Sequence, residues 1–232
     1  MAVNPGRYHV LTLILLSSMA VLGLLTSINF GLASLNYYHV RNSVDEWRSD
    51  PSQRSEEQYL VVKNTALAAS QYQQNNALYQ DLLAQVIEWG AIFSYEEQTL
   101  ALESAKAHYL RASELRPYWP VTWASLMMIK WRQQQLDDEL LWYLQMAAKL
   151  GPQKPEVHVV IIEFGLALYR ANHPFLLQFR PEFYRRLALG LKNPQSQGQV
   201  IHLLQQYQAT TLACRWLKDE ARHIKRLIPG CE

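Results

Sequence analysis

The stretch that decides the fold is AKAHYLRASELRP, residues 105–117, together with a weaker copy further along the chain. In the first copy Ala105 and Ala112 flank Tyr109, and Pro117 ends the pattern. The second copy repeats the spacing with Leu140, Leu144, Ala147 and Pro152, so that the two prolines are 35 residues apart. Small residues let a neighbouring helix approach, the aromatic ring fills the space between helices, and proline ends a helix.

This spacing is typical of the second helix of a tetratricopeptide repeat (TPR), a helix hairpin of ~34 residues. Trp123 and Leu126 lie where the first helix of the next repeat places its large residue and its leucine. Nine glycines and ten prolines in 232 residues leave room for long helices. The sequence therefore predicts an all-α protein in which residues 55–232 form a TPR-like array of antiparallel helix hairpins.

Helix starts and a central helix can also be predicted. Ser55 with Gln58, and Ser94 with Glu97, have the spacing of a capping box, in which two side chains bond the free N–H groups of a helix start. VHVVIIEFGLALY, residues 157–169, is apolar nearly all round. A helix of this kind packs on several sides, so we expect it to be the most buried helix of the array.

Residues 10–35 contain 26 residues without a charged side chain. This exceeds the ~20 residues that a helix needs to cross a bilayer. We therefore predict a transmembrane helix over 10–35, preceded by a short tail over 1–9 and followed by a polar linker over 36–54. A cleaved signal peptide is the alternative, because residues 31–33 (GLA) resemble a cleavage site, but its apolar core should be only ~7–15 residues long.

The basic residues on the two flanks of this segment favour opposite orientations. Arg7 favours a cytoplasmic amino terminus, whereas Arg41, Arg48 and Arg54 favour a cytoplasmic position for the residues after the span. Because bacterial anchors with a short amino-terminal tail usually export the domain after the span, we expect an inner-membrane protein with a cytoplasmic amino terminus and a periplasmic domain.

Small residues recur every four positions within the apolar segment, at Gly23, Ser27 and Gly31. They share one helix face, and such a face lets two membrane helices touch closely. One interpretation is therefore a homodimer, or docking on a larger membrane protein, through this face. The other is that glycine and serine are simply common in membrane helices.

Composition and motifs argue against several classes of function. The formal charge of +2 is spread along the chain, without the basic stripe of a nucleic-acid-binding protein. No zinc-protease, serine-hydrolase or phosphate-loop motif occurs, so the sequence predicts no catalytic residue, metal or cofactor. If one helix covers most of the interval between Cys214 and Cys231, they lie roughly 25 Å apart, beyond disulfide reach.

The residues that we expect to contact a partner are aromatic and cationic side chains around the repeat. Four tryptophans lie within 24 residues, more than two repeats need, and aromatic residues are favoured at protein interfaces and against sugars. We expect one or two exposed rings near Trp119. Glu163 is the lone charge in the apolar helix, and it either pairs with an arginine such as Arg111 or Arg116 or faces a polar groove. The full set is Arg111, Arg116, Tyr118, Trp119, Trp123, Trp131, Trp142 and Glu163.

The apolar amino-terminal segment, followed by RASELRPYWPVTWASL (111–126), KLGPQKPEVH (149–158) and IIEFGLALY (161–169), resembles VpsP-type accessory proteins of bacterial exopolysaccharide biosynthesis. The resemblance covers about residues 8–192. It implies a non-catalytic scaffold that helps to make and export the biofilm matrix by contacting a polysaccharide polymerase or export protein. No catalytic residues can be transferred from that family.

Two other functions are consistent with the sequence. A TPR assembly factor of another envelope system, such as secretion, pilus or cytochrome maturation, has the same architecture. A glycan-acting enzyme would need a cleft with two close carboxylates, which sequence spacing alone does not reveal.

Overall fold

The computed structural model describes residues 5–50, 55–217 and 222–231, with side chains from residue 9 onward. All regular structure in these ranges is helical, which confirms the all-α prediction for the described residues. The helices are α1 (Pro5–Ser49), α2 (Glu56–Tyr72), α3 (Ala77–Ile92), α4 (Gln98–Leu115), α5 (Pro120–Arg132), α6 (Asp138–Leu150), α7 (Pro155–Arg170), α8 (Leu176–Lys192), α9 (Pro194–Gln206), α10 (Thr210–Trp216) and α11 (Arg222–Lys225).

The chain divides into two compact units, Met1–Ser104 and Ala105–Glu232. Helix α4 begins in the first unit and ends in the second. The single TPR-like domain over 55–232 stays a prediction. Helices α2 and α3 pack against α1 and belong to its unit.

In the first unit, α1 is one continuous helix with two different surfaces. Residues 9–32 are exposed throughout, and most of their side chains are apolar. Beyond them Ala33, Val40, Val44 and Trp47 are buried, at spacings that place them along one helix face. Residues 36–49 of the predicted linker are therefore helical and part of the packed unit, because this face is covered by α2 and α3. Residues 51–54 lie outside the described part of the chain.

One of the two predicted capping boxes starts a helix as expected. The Ser55 hydroxyl accepts from the N–H of Gln58 at 3.1 Å and caps α2. The second prediction is wrong in its capping residue, because Ser94 has a left-handed backbone with φ 61°. The Glu97 carboxylate caps α4 instead, accepting from Thr99 and Leu100 N–H groups, and these bonds lower the pKa of Glu97.

The second unit is built from packed helix pairs. Helix α5 packs on α6 and on α7, α7 packs on α8, and α9 packs on both α7 and α8. The positions of the repeat pattern are at most 1% exposed; they are Ala105, Tyr109, Ala112, Leu140, Leu144 and Ala147. Burial of the pattern is therefore confirmed. Helix α7 contributes eight buried residues of 16, but the shorter α5 contributes nine of 13. The prediction that α7 is the most buried helix of the array is therefore wrong, because α5 packs against both α6 and α7.

The carboxyl-terminal helices correct the interpretation of the cysteines. Cys214 lies on α10, and Cys231 follows α11, with the two Cα atoms 5.7 Å apart and the sulfurs joined in a disulfide. The expected separation of about 25 Å was wrong because it assumed one long helix. Helix α10 is only 7 residues long and ends at Trp216, two residues after Cys214.

The contact of Gly165 on α7 with Phe183 on α8 provides a stability test. A methyl group at Gly165 on α7 would overlap the Phe183 ring of α8, so Gly165→Ala should lower the free energy of unfolding by about 1–3 kcal/mol. Gly198 on α9 is the matched control, since nothing lies within 4 Å of its Cβ position. There alanine should stabilise by up to about 1 kcal/mol through helix propensity alone. Urea unfolding in detergent micelles measures both, and equal effects of the two substitutions would contradict this packing.

Candidate interaction site

Two turns of the second unit share one pattern and lie against each other. LRPYWP (115–120) leads into α5, and LGPQKP (150–155) leads into α7. Trp119 and Lys154 are the N-cap residues of these helices, and neither side chain bonds its own helix end. A Cβ at Gly151 would lie 2.8 Å from the Cβ of Pro120, so the second turn can approach this closely only with glycine there. This contact holds the two turns together.

The Trp119 corner, defined as Arg116, Tyr118, Trp119 and Lys154, combines two cations with two aromatic rings. Arg116 Cζ lies 3.7 Å and Lys154 Nζ 4.4 Å from the centroid of the Trp119 ring. The negative face of an aromatic ring attracts cations, by about 0.5–1 kcal/mol at exposed sites. Neither cation forms an ion pair with another described residue. Two positive charges are therefore gathered on one ring without a carboxylate.

Exposure differs sharply between the two rings of the corner. Trp119 is half-buried, whereas Tyr118 is 81% exposed. Tyr118 is the exposed ring that the sequence predicts near Trp119. A large ring that is held on a turn and open to solvent is suited to contact another molecule.

A second aromatic group lies between α5 and α6. The Trp123 ring meets Trp142 edge-on with centroids 5.0 Å apart, and both rings contact Tyr143. The Trp123 indole also donates to the Pro117 carbonyl at 2.8 Å. Trp123 is thus a buried part of the helix pair, whereas Trp142 is 47% exposed.

The remaining candidate residues are not gathered at the corner. Trp131 packs edge-on against Phe164 of α7, with centroids 5.3 Å apart. Arg111 pairs with Glu114 at 2.9 Å. Glu163 is half-buried on α7, and its charge adds to burial in raising the pKa of Tyr207, the C-cap residue of α9.

The small residues of α1 belong to the exposed part of that helix. No neighbouring atom lies within 4 Å of the Cβ positions of Gly23 and Gly31. The Ser27 hydroxyl donates to the Gly23 carbonyl at 2.8 Å, so its polar group is satisfied within the helix. This face is therefore unoccupied by other described residues of the chain.

The buried Arg186 of α8 holds the turn that carries Lys154, and no sequence pattern indicated this role. Its side chain is fully buried and donates to the carbonyls of Ala148 at 2.6 Å and Gly151 at 2.7 Å. It also pairs with Glu182 at 2.6 Å. Arg186 thereby satisfies carbonyls at the end of α6 that have no helical partner. Nothing in the sequence separates it from the neighbouring, exposed Arg185.

His158 of α7 completes this buried polar group. Arg186 donates to its Nδ1 at 3.1 Å, so the neutral ring carries its proton on Nε2, which is buried without a partner among the described residues. Burial first, and then the charge of Arg186, lower the pKa of His158 to about 4. The ring is therefore neutral at physiological pH.

Lys130 anchors a second charged network, on α5 and α6. Its ammonium group is nearly buried and bonds Asp137 at 2.6 Å and Glu139 at 2.7 Å. Glu139 also accepts from Tyr143 and pairs with Lys106. The hydrogen bond from Lys130 is the largest cause that lowers the pKa of Glu139 to about 2. These contacts join helices, and each charged group in them is paired with an opposite charge. We therefore interpret the network as structural.

A cleft of about 410 Å³ lies between α6 and α8. Its apolar lining includes Leu141, Leu144 and Phe179, and its one carboxylate is Glu182, which is paired with Arg185 and Arg186. This cleft therefore lacks the two carboxylates that glycoside hydrolysis requires. Among the described residues, no cluster of three or more His, Cys, Asp or Glu side chains could hold a metal ion.

Comparison with known protein families and with curated proteins finds no match for this chain.

The low pKa of His158 predicts a specific pH dependence of stability. The unfolded state takes up a proton below about pH 6.5, whereas the folded state does so only near its pKa of about 4. Stability should therefore fall as pH is lowered through this window, with up to about 3 kcal/mol from this residue.

His158→Gln should remove that part of the pH dependence, and exposed His202→Gln on α9 should leave it unchanged. The measurement is urea unfolding in detergent micelles between pH 4 and pH 7. An unchanged pH slope in His158→Gln would contradict the assignment.

Proposed function

We propose that this protein is a non-catalytic, membrane-anchored scaffold that acts by protein–protein contact in bacterial exopolysaccharide production and export. The observation that carries the proposal is the Trp119 corner: an exposed ring and two cations without acidic partners, held on packed turns of a helical unit. Aromatic residues and arginine are the side chains that contribute most at protein interfaces.

The membrane anchor in this proposal is the first part of α1. The helix contains one candidate membrane span, whose most apolar window of 18 residues has a mean hydropathy of 2.2 and is not buried inside the protein. Its 24 exposed residues, 9–32, would cover about 36 Å at 1.5 Å per residue, enough to cross the hydrocarbon core. The small-residue face at Gly23, Ser27 and Gly31 would then be available to a second copy or to another membrane helix.

A TPR-like array is the proposed architecture of the second unit. Helices α5 and α6, and then α7 and α8, are packed neighbours joined by short connections, as in antiparallel hairpins. Helix α5 also packs on α7, as first helices of consecutive repeats would. The buried repeat positions support this interpretation.

The polysaccharide pathway rests on the resemblance to VpsP-type proteins. It implies that the partner is a polysaccharide polymerase or an export protein. Assembly of a different envelope machine, such as a secretion, pilus or cytochrome-maturation system, is the competing function with the same architecture.

We place the protein in the inner membrane with the helical units in the periplasm. The disulfide between Cys214 and Cys231 supports this location, because disulfides persist in the periplasm and are rare in the cytosol. The basic residues on both flanks of the span do not decide the orientation, so the disulfide is the stronger argument.

A cross-linked pull-down from membranes tests the function. Trp119→Ala with Arg116→Ala should lower partner recovery about tenfold or more, because hot-spot residues contribute about 2 kcal/mol. The matched control is Leu177→Ala with Arg180→Ala, which removes an exposed apolar residue and an exposed cation on α8. Mass spectrometry of the captured proteins should identify polysaccharide polymerase or export proteins. Capture of secretion, pilus or cytochrome-assembly proteins would instead overturn the pathway.

Thiol alkylation tests the location. Cells are lysed into a maleimide–polyethylene glycol reagent, and Cys214 and Cys231 should resist labelling until a reductant is added. A strain without its periplasmic disulfide oxidase should yield labelled protein directly. Free thiols in the wild-type strain would contradict the periplasmic assignment.

A further inference from the structure

We infer that the Trp119 corner binds an acidic segment of a partner protein. The inference rests on the proposed function and specifies the chemistry of the partner. Arg116 and Lys154 come from different turns, yet both lie within 4.4 Å of the centroid of one indole ring. The charge concentrated there is positive, so the complementary partner is negative.

The acids of the protein itself do not neutralise this corner. Glu114, two residues before Arg116, is paired with Arg111 at 2.9 Å. Glu156, two residues after Lys154, is exposed and forms no ion pair with another described residue. A cation that rests on a ring keeps its N–H donors for other groups, and the planar guanidinium of Arg116 matches a carboxylate in two-pronged fashion.

The corner fits an acidic peptide better than a sugar polymer. Sugars bind proteins largely by stacking on an open aromatic face, but Arg116 and Lys154 already lie over the Trp119 ring. Tyr118, next to Trp119 in the sequence, is the open ring of the corner and is 81% exposed, so it is accessible to an apolar side chain of the acidic segment.

The cations are held in place before any partner arrives. Arg186 fixes the Gly151 carbonyl at 2.7 Å, and the lack of a side chain at Gly151 allows the Lys154 turn to contact Pro120. Binding therefore orders few additional side chains, which reduces the entropic cost of association.

A binding assay with a defined probe tests the inference. The full-length protein is placed in nanodiscs of zwitterionic lipid, and the probe is a fluorescein-labelled peptide that alternates paired glutamates with leucine. Fluorescence anisotropy should show binding that weakens as salt is raised. Arg116→Gln with Lys154→Gln should weaken binding about tenfold or more, because each substitution removes one charge pair with the peptide and the binding free energy that this pair contributes. Tyr118→Ala should weaken it by a smaller factor.

The matched control removes the same charge elsewhere. Lys149→Gln with Arg180→Gln replaces two exposed cations on α6 and α8 and should leave binding nearly unchanged. Circular dichroism and thermal unfolding verify that every variant is folded. An equal loss in the control pair, or no peptide binding by the wild type, would overturn the inference. Tighter binding of polygalacturonate than of the peptide, lost in the corner variant, would overturn it in favour of an acidic glycan.

The pull-down separates this result from the proposed function. If the peptide fails to bind while partner capture still requires Trp119 and Arg116, the acidic-segment inference is wrong and the scaffold function stands. If capture is also independent of these residues, both are wrong.

Discussion

The second unit depends on one buried charge. Arg186 is enclosed among α6, α7 and α8, and the cost of removing its guanidinium group from water is offset by a carboxylate, two carbonyls and a histidine nitrogen. Its partners are the end of α6, the turn after it, and the first part of α7. A hydrophobic residue could fill the same space, but it could not hold those carbonyls. The geometry of the turn before α7, and with it the position of Lys154, therefore depends on this residue.

Proline and glycine residues also determine the geometry of the turns before α5 and α7. Helices α5, α7 and α9 all start with proline at the first helical position, where its missing N–H is not needed. The two repeated turns therefore present their N-cap residues at matching positions, and Gly151 lets those turns touch. Trp119 and Lys154 are equivalent positions of one pattern, 35 residues apart. The corner is thus formed where two turns of matching sequence meet.

Local patterns predicted much of the fold. The small and aromatic positions from Ala105 to Ala147 are buried because their spacing reports directly which helix face packs. Features that depend on distant partners were not predictable. Arg185 and Arg186 are adjacent residues of the same type, yet Arg185 is exposed and Arg186 is buried. The polar composition of residues 36–49 likewise did not indicate the helix face that α2 and α3 cover. The disulfide was missed because α10 ends at Trp216, two residues after Cys214, whereas the expected separation assumed a long helix between the cysteines. At the site, the sequence indicated Arg116, Tyr118 and Trp119 but not Lys154, whose place depends on two turns meeting.

The distribution of charges makes the corner distinctive. The chain has 22 basic and 20 acidic residues, so carboxylates are not scarce. The buried cations have carboxylate partners. Lys130 bonds two carboxylates, and Arg186 bonds one carboxylate and two backbone carbonyls. Arg116 and Lys154 are half-buried and have an aromatic ring in place of a carboxylate. Cations required for stability are matched within the described structure. Those at the corner are placed together yet left unmatched, which is the arrangement expected where the matching charge comes from another molecule.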